Sequence, residues 1–219
     1  MKLILNNLLK LQLHIVVIVI AFIFISCKKD KKSPVLNLIG DAKLEIRYDS
    51  IALDPGAEAI DETDGNITNN IISDWSTKVN IKQRASYHVA YKVADKRANE
   101  SQAKREVIVR MCGSNFIGNY NSAWELTGTS YAGISLYSIT AGAHRNEFVV
   151  YPYGPHQIAL KVNLSGDFGE SLDFNQSDAN VLTEGTGTIE NNGATIKLNF
   201  RRTYTNGAVI HGTETLIRI

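Results

Sequence analysis

Several oxygen-bearing side chains fall in one short stretch of the sequence, where they could serve as ligands for a hard cation. They are Asp54, Asp61, Asp64 and Asn66, and calcium takes several oxygens at once. The alternation of ligands that an EF-hand loop requires is broken, first at Thr63. Asp and Asn are also typical of turns, because their side chains accept hydrogen bonds from nearby backbone. The sequence therefore predicts turns and no metal site here, with Asp54, Asp61 and Asp64 as weak metal candidates.

The aromatic segment of residues 150–156 is a second candidate for chemistry. Its sequence is Val-Tyr-Pro-Tyr-Gly-Pro-His, so that Tyr151, Tyr153 and His156 are held among prolines. Planar rings stack on sugar faces and on apolar partners at a low entropic cost. This pattern predicts a stiff, partly exposed recognition loop for a glycan or protein partner. The alternative is a rigid connection between strands.

No catalytic constellation is found along the chain. The sequence lacks a G-x-S-x-G elbow, an H-E-x-x-H helix, a Walker loop and a C-x-x-C pair. No histidine has a second ligand at metal spacing. Paired carboxylates could meet across strands, but nothing in the sequence ties Glu125, Glu147 and Glu170 together. We therefore expect a protein that is not an enzyme and has no cofactor, with a cryptic hydrolase as a minor alternative.

Cys27 stands between an apolar run and a group of lysines. The uncharged stretch Leu11–Ser26 follows Lys10, and it is short for a helix that must cross about 30 Å of hydrocarbon. A basic start, an apolar middle and a small residue before the cysteine are typical of a secretory signal, with an uncleaved signal anchor as the alternative. The segment Phe24–Cys27 resembles a bacterial lipobox, which implies acylation of the Cys27 thiol.

This resemblance predicts a signal peptide at residues 1–26 and an acylated cysteine with a tether at 27–33. It implies a lipid-anchored protein of the outer membrane, whose partner through the anchor is the bilayer. The tether has a single acidic residue, Asp30. The periplasmic face and the cell surface therefore both stay open as locations.

Period-two alternation dominates the segment that follows, residues 34–111. Apolar residues alternate with polar ones from Leu44 to Tyr48, from Tyr87 to Val93 and from Val107 to Met111, as in half-buried strands. Turn-forming clusters such as Asp54–Gly56 and Asp64–Asn66 separate them. Several short strands at this spacing predict a small β-sandwich.

The same segment resembles a known family of bacterial surface immunoglobulin-like domains, also named after the Ig-like module of a pesticidal crystal protein. The resemblance rests on Asp54–Ala57 with Asp64–Thr68, on Tyr87–Asp95 through Asn99, and on an opening at Pro34–Leu38. It implies a spacer or adhesive module. Ala98 departs from the glycine that the family has there. A residue with a Cβ costs stability if that position needs a positive φ.

The remaining residues also alternate and turn. Residues 112–115 break the pattern and predict a linker, and residues 116–219 contain strand candidates at 119–126, 133–139, 147–151, 157–164, 180–190, 195–201 and 208–218. Asn192-Gly193 and Asn206-Gly207 are typical of tight hairpins. These features predict an antiparallel β-meander, as a barrel or half-barrel. Residues 185–189 and 196–200 resemble the C-terminal part of small Bacteroidota lipoproteins with calycin-like or similar folds.

A meander barrel can hold an apolar ligand in its mouth. Aromatic residues that could line such a cavity are Trp124, Phe148, Tyr151, Tyr153 and Phe200. Aromatic residues at strand spacing are equally typical of an ordinary core. The ligand-binding candidates are therefore Trp124 with the tyrosines and histidine of the 150–156 segment.

Charge and cysteine content narrow the functional classes further. Without Lys2 and Lys10 the chain has 21 basic and 22 acidic residues, so it lacks the basic character expected for binding nucleic acid. Cys112 is the one thiol left after acylation of Cys27, and we expect it to be a small buried hydrophobe, with an intermolecular disulfide as the alternative.

The sequence as a whole predicts an all-β protein, with an immunoglobulin-like sandwich and a β-meander domain after a cleaved signal helix. The expected function is that of a non-enzymatic, lipid-anchored envelope protein. Its Ig-like spacer presents a β domain to an unknown protein or glycan partner. The alternatives are a calycin-like carrier of a small apolar ligand and the cryptic hydrolase.

Overall fold

The computed structural model describes residues 30–154 and 157–219, which form a nearly all-β structure. Cys27 and His156, both predicted site residues, lie outside the described residues. Among the residues that are described, no helix has the length and hydropathy needed to cross a bilayer.

The N-terminal strands form two sheets of an immunoglobulin-like arrangement. Their bounds are β1 Val35–Leu38, β2 Lys43–Arg47, β3 Ala57–Asp61, β4 Gly65–Asn66, β5 Ile72–Ser73, β6 Ala85–Ala94 and β7 Glu100–Arg110. One sheet has the order β1-β3-β4 and the other β2-β7-β6-β5. A 3-10 helix at Thr68–Asn70 and a one-turn helix α1 at Trp75–Lys78 lie between strands. The predicted all-β fold with an Ig-like domain is confirmed.

The chain divides into two compact units by the density of its contacts. The first unit comprises residues 30–39, 56–73 and 91–103, and the second comprises 40–55, 74–90 and the described residues of 104–219. The division passes through β6 and β7, so it does not coincide with the linker predicted at residues 112–115. That linker therefore stays a prediction.

The core of the first unit contains short apolar side chains from several elements. Ala59, Ile67 and Val93 are buried, and Leu36 and Ile71 pack against them. Leu36 and Ala59 are also direct partners in the antiparallel β1–β3 pair. The alternation predicted for β6 is confirmed, because Val89, Tyr91 and Val93 are buried while their neighbours are not.

The second unit contains a closed antiparallel barrel. Its strands are β8 Gly118–Leu126, β9 Ala132–Ala141, β10 Glu147–Tyr153, β11 Ile158–Ser165, β12 Ser171–Ser177, β13 Val181–Glu190, β14 Thr195–Tyr204 and β15 Val209–Arg218. Each strand pairs with the next along the chain, and β15 pairs with β8 to close the sheet. The barrel form of the predicted meander is the one observed. Strand β12 was not among the predicted strands.

Side chains alternate between the barrel interior and the outer surface. On β14, Ile196, Leu198 and Phe200 are buried and face the same way, while Lys197 and Asn199 are exposed. The interior is filled by one continuous apolar cluster that all eight strands contribute to. Within the part of the barrel that the structure describes, this cluster forms the core.

One end of the barrel is closed by the chain that leads into it. The 3-10 helix Gly113–Phe116 places the Phe116 ring on Phe148, with the ring centroids 4.8 Å apart. Tyr120 donates a hydrogen bond from its hydroxyl to the Phe116 carbonyl oxygen over 3.0 Å. Cys112 is a buried free thiol, as expected, and accepts a hydrogen bond from Arg145 Nε. The plugged end therefore offers no entry for a ligand.

The connection between β13 and β14 differs in detail from a two-residue hairpin turn. Residues Asn191–Gly193 form a 3-10 turn in which Asn191 and Asn192 have φ of 49° and 54°. In the β14–β15 turn, Gly207 has a positive φ but Asn206 does not. A type I′ turn needs positive φ at both central residues. The Asn206-Gly207 connection is therefore not a type I′ turn.

Ala98 should be a point of weakness in the first unit. Its φ is 63°, in the region where a Cβ is unfavourable and glycine is not. We expect Ala98→Gly to raise the free energy of unfolding by about 0.5–1 kcal/mol, as measured by urea denaturation. Ala94→Gly, at an exposed β6 position with ordinary φ, is the control and should lower it. A loss of stability in Ala98→Gly would contradict this account.

A candidate ligand pocket at the open end of the barrel

The end of the barrel opposite the Phe116 plug contains a pocket of about 450 Å³. It is lined by residues near the ends of β8, β10 and β14 and near the starts of β9 and β15. Pockets of this size hold small organic ligands in other proteins. The lining is mostly aromatic and aliphatic with a few polar groups, and includes Trp124, Leu126, Leu136, Tyr137, Phe200, Tyr204, Ile210, Ser135, Gln157, Arg202 and Glu214.

Arg202 is the cationic group of the pocket. It continues the inward-facing series of β14 and is only 8% exposed. Its guanidinium carbon lies 4.3 Å from the centroid of the Phe200 ring and 5.3 Å from that of Tyr153. Among the described residues, no carboxylate lies within salt-bridge distance of it. The aromatic faces stabilise the cation in part, but its hydrogen-bonding capacity is left for another group.

The adjacent residue on β14 shows the contrast between the two faces of the barrel wall. Arg201 lies on the outer surface, where its Nη1 donates to Glu184 Oε1 over 2.8 Å. The two arginines therefore differ by one position in sequence and by the side of the barrel they occupy. Arg201 can therefore serve as the control when the role of the Arg202 charge is tested.

Glu214 is the anionic group of the pocket, and hydroxyl groups surround it. It is 2% exposed on the inner face of β15. Ser122 donates a hydrogen bond from Oγ to Glu214 Oε1, and the Tyr137 hydroxyl lies close enough for the carboxylate charge to raise its pKa. Glu214 is thus already hydrogen-bonded within the protein, unlike Arg202.

The two interior tyrosines resist ionisation. Burial, followed by the negative charge of Glu214, raises the pKa of the Tyr137 hydroxyl above its ordinary value of 10. Burial also raises the pKa of Tyr153 well above that value, again with a contribution from Glu214. The Tyr153 side chain, including its hydroxyl, is fully buried. Both groups are therefore neutral hydroxyls at physiological pH.

Two glycines make room for the functional side chains. A Cβ at Gly133 would lie 2.5 Å from Trp124 Cζ2, so the indole can lie across β9 only because that position has no side chain. Gly154 has φ of 67°, and a Cβ there would lie 3.0 Å from Arg202 Nη2. A side chain at Gly133 would displace the Trp124 ring, and one at Gly154 would press on the Arg202 guanidinium.

The structure separates the predicted ligand-binding residues. Trp124 lines the pocket, and Tyr153 lies fully buried beside Arg202. Tyr151 is 52% exposed on the outside of the barrel, because the register shifts between Val150 and Tyr153. The expectation that both tyrosines project from one partly exposed loop is therefore corrected. Phe148, a predicted cavity residue, is core.

The predicted acidic residues also take different positions. Asp61 is 3% exposed at the end of β3, whereas the Asp64 carboxylate accepts hydrogen bonds from Lys96 N and Nζ. Asp54 is half-buried in the second unit.

The three glutamates considered for hydrolysis belong to different parts of the barrel. Glu125 lies on the outer face of β8, Glu147 lies at the start of β10, and Glu170 precedes β12. Each of the last two accepts a hydrogen bond from backbone N–H nearby, from Ala143 and Phe168 respectively. Their surroundings are those of turn-stabilising groups.

Sequence reasoning missed the polar residues of the pocket itself, Arg202, Glu214 and Tyr137. A signal was present, because Arg202 stands two residues after Phe200 and Glu214 two residues before Leu216, in phase with the apolar series. A charged residue in phase with inward positions marks either an interior charge or the end of the buried stretch. Only the positions of the neighbouring strands decide between these outcomes.

Comparison with known proteins places the first half of the chain in context. The family model for the Ig-like domain of bacterial surface proteins matches residues 36–109, which confirms the resemblance found in the sequence over that segment. Comparison with curated protein sequences gives no match.

Solved structures give distant similarities. A lipoprotein from Bacteroides thetaiotaomicron is 14% identical, with 83% of this chain and 98% of that chain covered at a TM-score of 0.32. A Bacteroides ovatus protein of unknown function is also 14% identical, with coverages of 84% and 75% and a TM-score of 0.35. A protein of unknown function from Nostoc punctiforme is 10% identical, with coverages of 65% and 69% and a TM-score of 0.34.

The raised pKa of Tyr153 predicts a loss of stability in alkali. A proton held more tightly in the folded chain stabilises it fully below the unfolded pKa of about 10 and progressively less above it. The free energy of unfolding should therefore fall by about 1.4 kcal/mol per pH unit above about pH 10 because of this group. Tyr153→Phe should abolish that contribution. Urea denaturation across this range measures it, with Tyr151→Phe as the outer-surface control. Parallel pH profiles for Tyr153→Phe and the unmodified protein would contradict the assignment.

Proposed function

We propose that this protein is a non-enzymatic binding protein of the bacterial envelope, and that its barrel holds a small amphipathic ligand in the pocket beside Arg202. The observation that carries the proposal is the buried arginine at the open end of a closed barrel, without a carboxylate partner among the described residues. Of the functions considered from the sequence, the carrier is the one that this pocket supports best.

The lining specifies the general form of the ligand. Aromatic and aliphatic groups from β8, β9, β14 and β15 cover most of the pocket wall. Binding sites of this kind bury an apolar ligand body and use a few polar groups to fix its orientation. A ligand with an apolar body and one polar end therefore fits the lining better than a polar sugar does.

Arg202 specifies the chemistry of the polar end. A guanidinium presents several N–H donors in a planar array that matches a carboxylate. The nearby Glu214 disfavours an anion, but its carboxylate already accepts a hydrogen bond from Ser122. A monoanionic acid at Arg202 is accordingly the ligand class we propose, and a cation is disfavoured by the arginine.

The anchor at Cys27 belongs to this proposal as well. A thiol acylated at Cys27 would hold the barrel at the outer membrane, on its periplasmic face or at the cell surface. The Ig-like match at residues 36–109 supports an envelope location. Recognition of a glycan or protein through the 150–156 segment stays a prediction. Among the described residues of that segment, Tyr151 is the exposed aromatic residue that could make such a contact.

Ligand binding is measured with the full chain purified in detergent. N-phenyl-1-naphthylamine, an uncharged fluorescent probe, should bind in the pocket and be displaced by dodecanoate at lower concentration than by dodecanol. Arg202→Gln should weaken dodecanoate about 10- to 100-fold, because a charge-assisted hydrogen bond is lost. Arg201→Gln, on the outer face of the same strand, should leave the affinity unchanged.

Further variants keep the outcome interpretable. Glu214→Gln should strengthen dodecanoate binding, because a like charge is removed from the pocket. Thermal unfolding of each variant confirms that the barrel is folded. Absence of any probe binding to the unmodified protein would contradict the carrier function, and equal affinity for dodecanoate and dodecanol would contradict the acid selectivity alone.

The anchor is tested in cells. Radiolabelled palmitate should be incorporated into the unmodified chain and not into Cys27→Ser, which should also keep its signal sequence and migrate more slowly. Cys112→Ser is the matched control, because that thiol is buried, and it should be labelled normally. Labelling of Cys27→Ser at the normal level would contradict attachment at this residue.

A further inference from the structure

Three aspartates in the first unit place their carboxylates together. One carboxylate oxygen each from Asp30, Asp61 and Asp95 lies within 4.8 Å of the other two. Asp61 ends β3, Asp95 follows β6, and Asp30 belongs to the tether segment that precedes β1. Segments far apart in sequence thus bring three negative charges to one point.

Asp61 supplies the observation that points to a ligand. The residue is 3% exposed, and its Oδ1 accepts hydrogen bonds from the backbone N–H groups of Thr63 and Asp64. Its other oxygen, Oδ2, is buried and has no partner in the described structure. A buried carboxylate oxygen without a partner is costly. A bound cation would remove that cost.

The two nearest lysines form their ion pairs with other carboxylates. Lys32 forms its ion pair with Glu62, and Lys96 forms its ion pair with Asp64 over 3.1 Å. Among the described residues, none of the three clustered aspartates takes part in a salt bridge. Like charges at this distance repel each other strongly where water is excluded.

We propose that Asp30, Asp61 and Asp95 bind a calcium ion. Hard cations of this kind take carboxylate oxygens, and calcium accepts six to eight at about 2.3–2.6 Å. Magnesium is usually held by only one or two carboxylates and keeps several waters, so a set of three carboxylates suits calcium better. Water completes the remaining coordination positions.

The site would fix the tether to the first unit. The Asp30 carbonyl oxygen already accepts a hydrogen bond from Asn99 Nδ2 over 3.4 Å, and Ser101 donates to the Pro34 carbonyl oxygen. Calcium would add a strong link between the same segments. Asp30 is the third residue after Cys27, and three residues of chain span at most about 11 Å. The cation therefore limits how far the first unit can move from an anchor at Cys27.

Calcium binding is tested on the full chain in detergent after removal of divalent ions. Calorimetric titration with CaCl₂ should show one site, with weaker heat for MgCl₂, and calcium should raise the unfolding temperature. Asp61→Asn should weaken calcium by at least about tenfold, because a charged ligand is lost. Glu58→Gln removes the same charge from the exposed face of β3 and should bind calcium normally.

A second measurement tests the proposal in case Asp61→Asn fails to fold. Calcium should slow cleavage of the unmodified chain by endoproteinase Lys-C after Lys31 and Lys32 severalfold, and Asp30→Asn should abolish this protection while leaving the fold intact. Absence of calcium heat, a preference for magnesium, or binding that survives both Asp61→Asn and Asp30→Asn would each overturn the proposal.

Discussion

Hydrogen bonds between β8 and β15 close the sheet of the second unit, and the character of the interior depends on that closure. Leu216 pairs with Ser122 and Gly212 with Leu126 along this seam. A closed sheet has no free edge, and its alternate side chains must fill or line the space inside. Phe116, stacked on Phe148, covers one end of the barrel, and the pocket beside Arg202 lies at the other end among the described residues.

The difference between the covered end and the open end of the barrel explains where the buried charges of the pocket lie. One continuous cluster of apolar side chains packs the interior of the barrel. Arg202 and Glu214 appear where the packing ends and the pocket begins. Charges at such a position interact more strongly with a ligand than surface charges do, because less water surrounds them. The same reasoning applies in the first unit, where Asp61 leaves a buried oxygen without a partner.

Local patterns predicted most of the strands but not the arrangement of the site. Period-two alternation located β6, β13 and β14, because apolar and polar residues alternate there over many positions. Strand β12 was missed because Leu172 and Phe174 are its only large inward side chains and its other residues are polar. Whether the meander closes depends on the pairing of β15 with β8, which alternation within either strand does not encode.

The functional residues were harder to predict, because their positions also depend on how the strands pair. Tyr151 and Tyr153 have equivalent places in the sequence, but a register shift sends one ring outward and the other inward. Ala98 was more accessible to prediction, since a family resemblance indicated a glycine position and the backbone there has a positive φ. Of the acidic residues considered from sequence, only Asp61 joins the cluster, because Asp30 and Asp95 come from distant segments.

A crystal structure of the full chain with dodecanoate tests the central claim most directly. The account predicts an acyl chain within the open end of the barrel, between Trp124 and Phe200, with its carboxylate on the Arg202 guanidinium. A barrel mouth without the fatty acid at saturating concentration, or a fatty acid bound with its carboxylate in solvent away from Arg202, would contradict it.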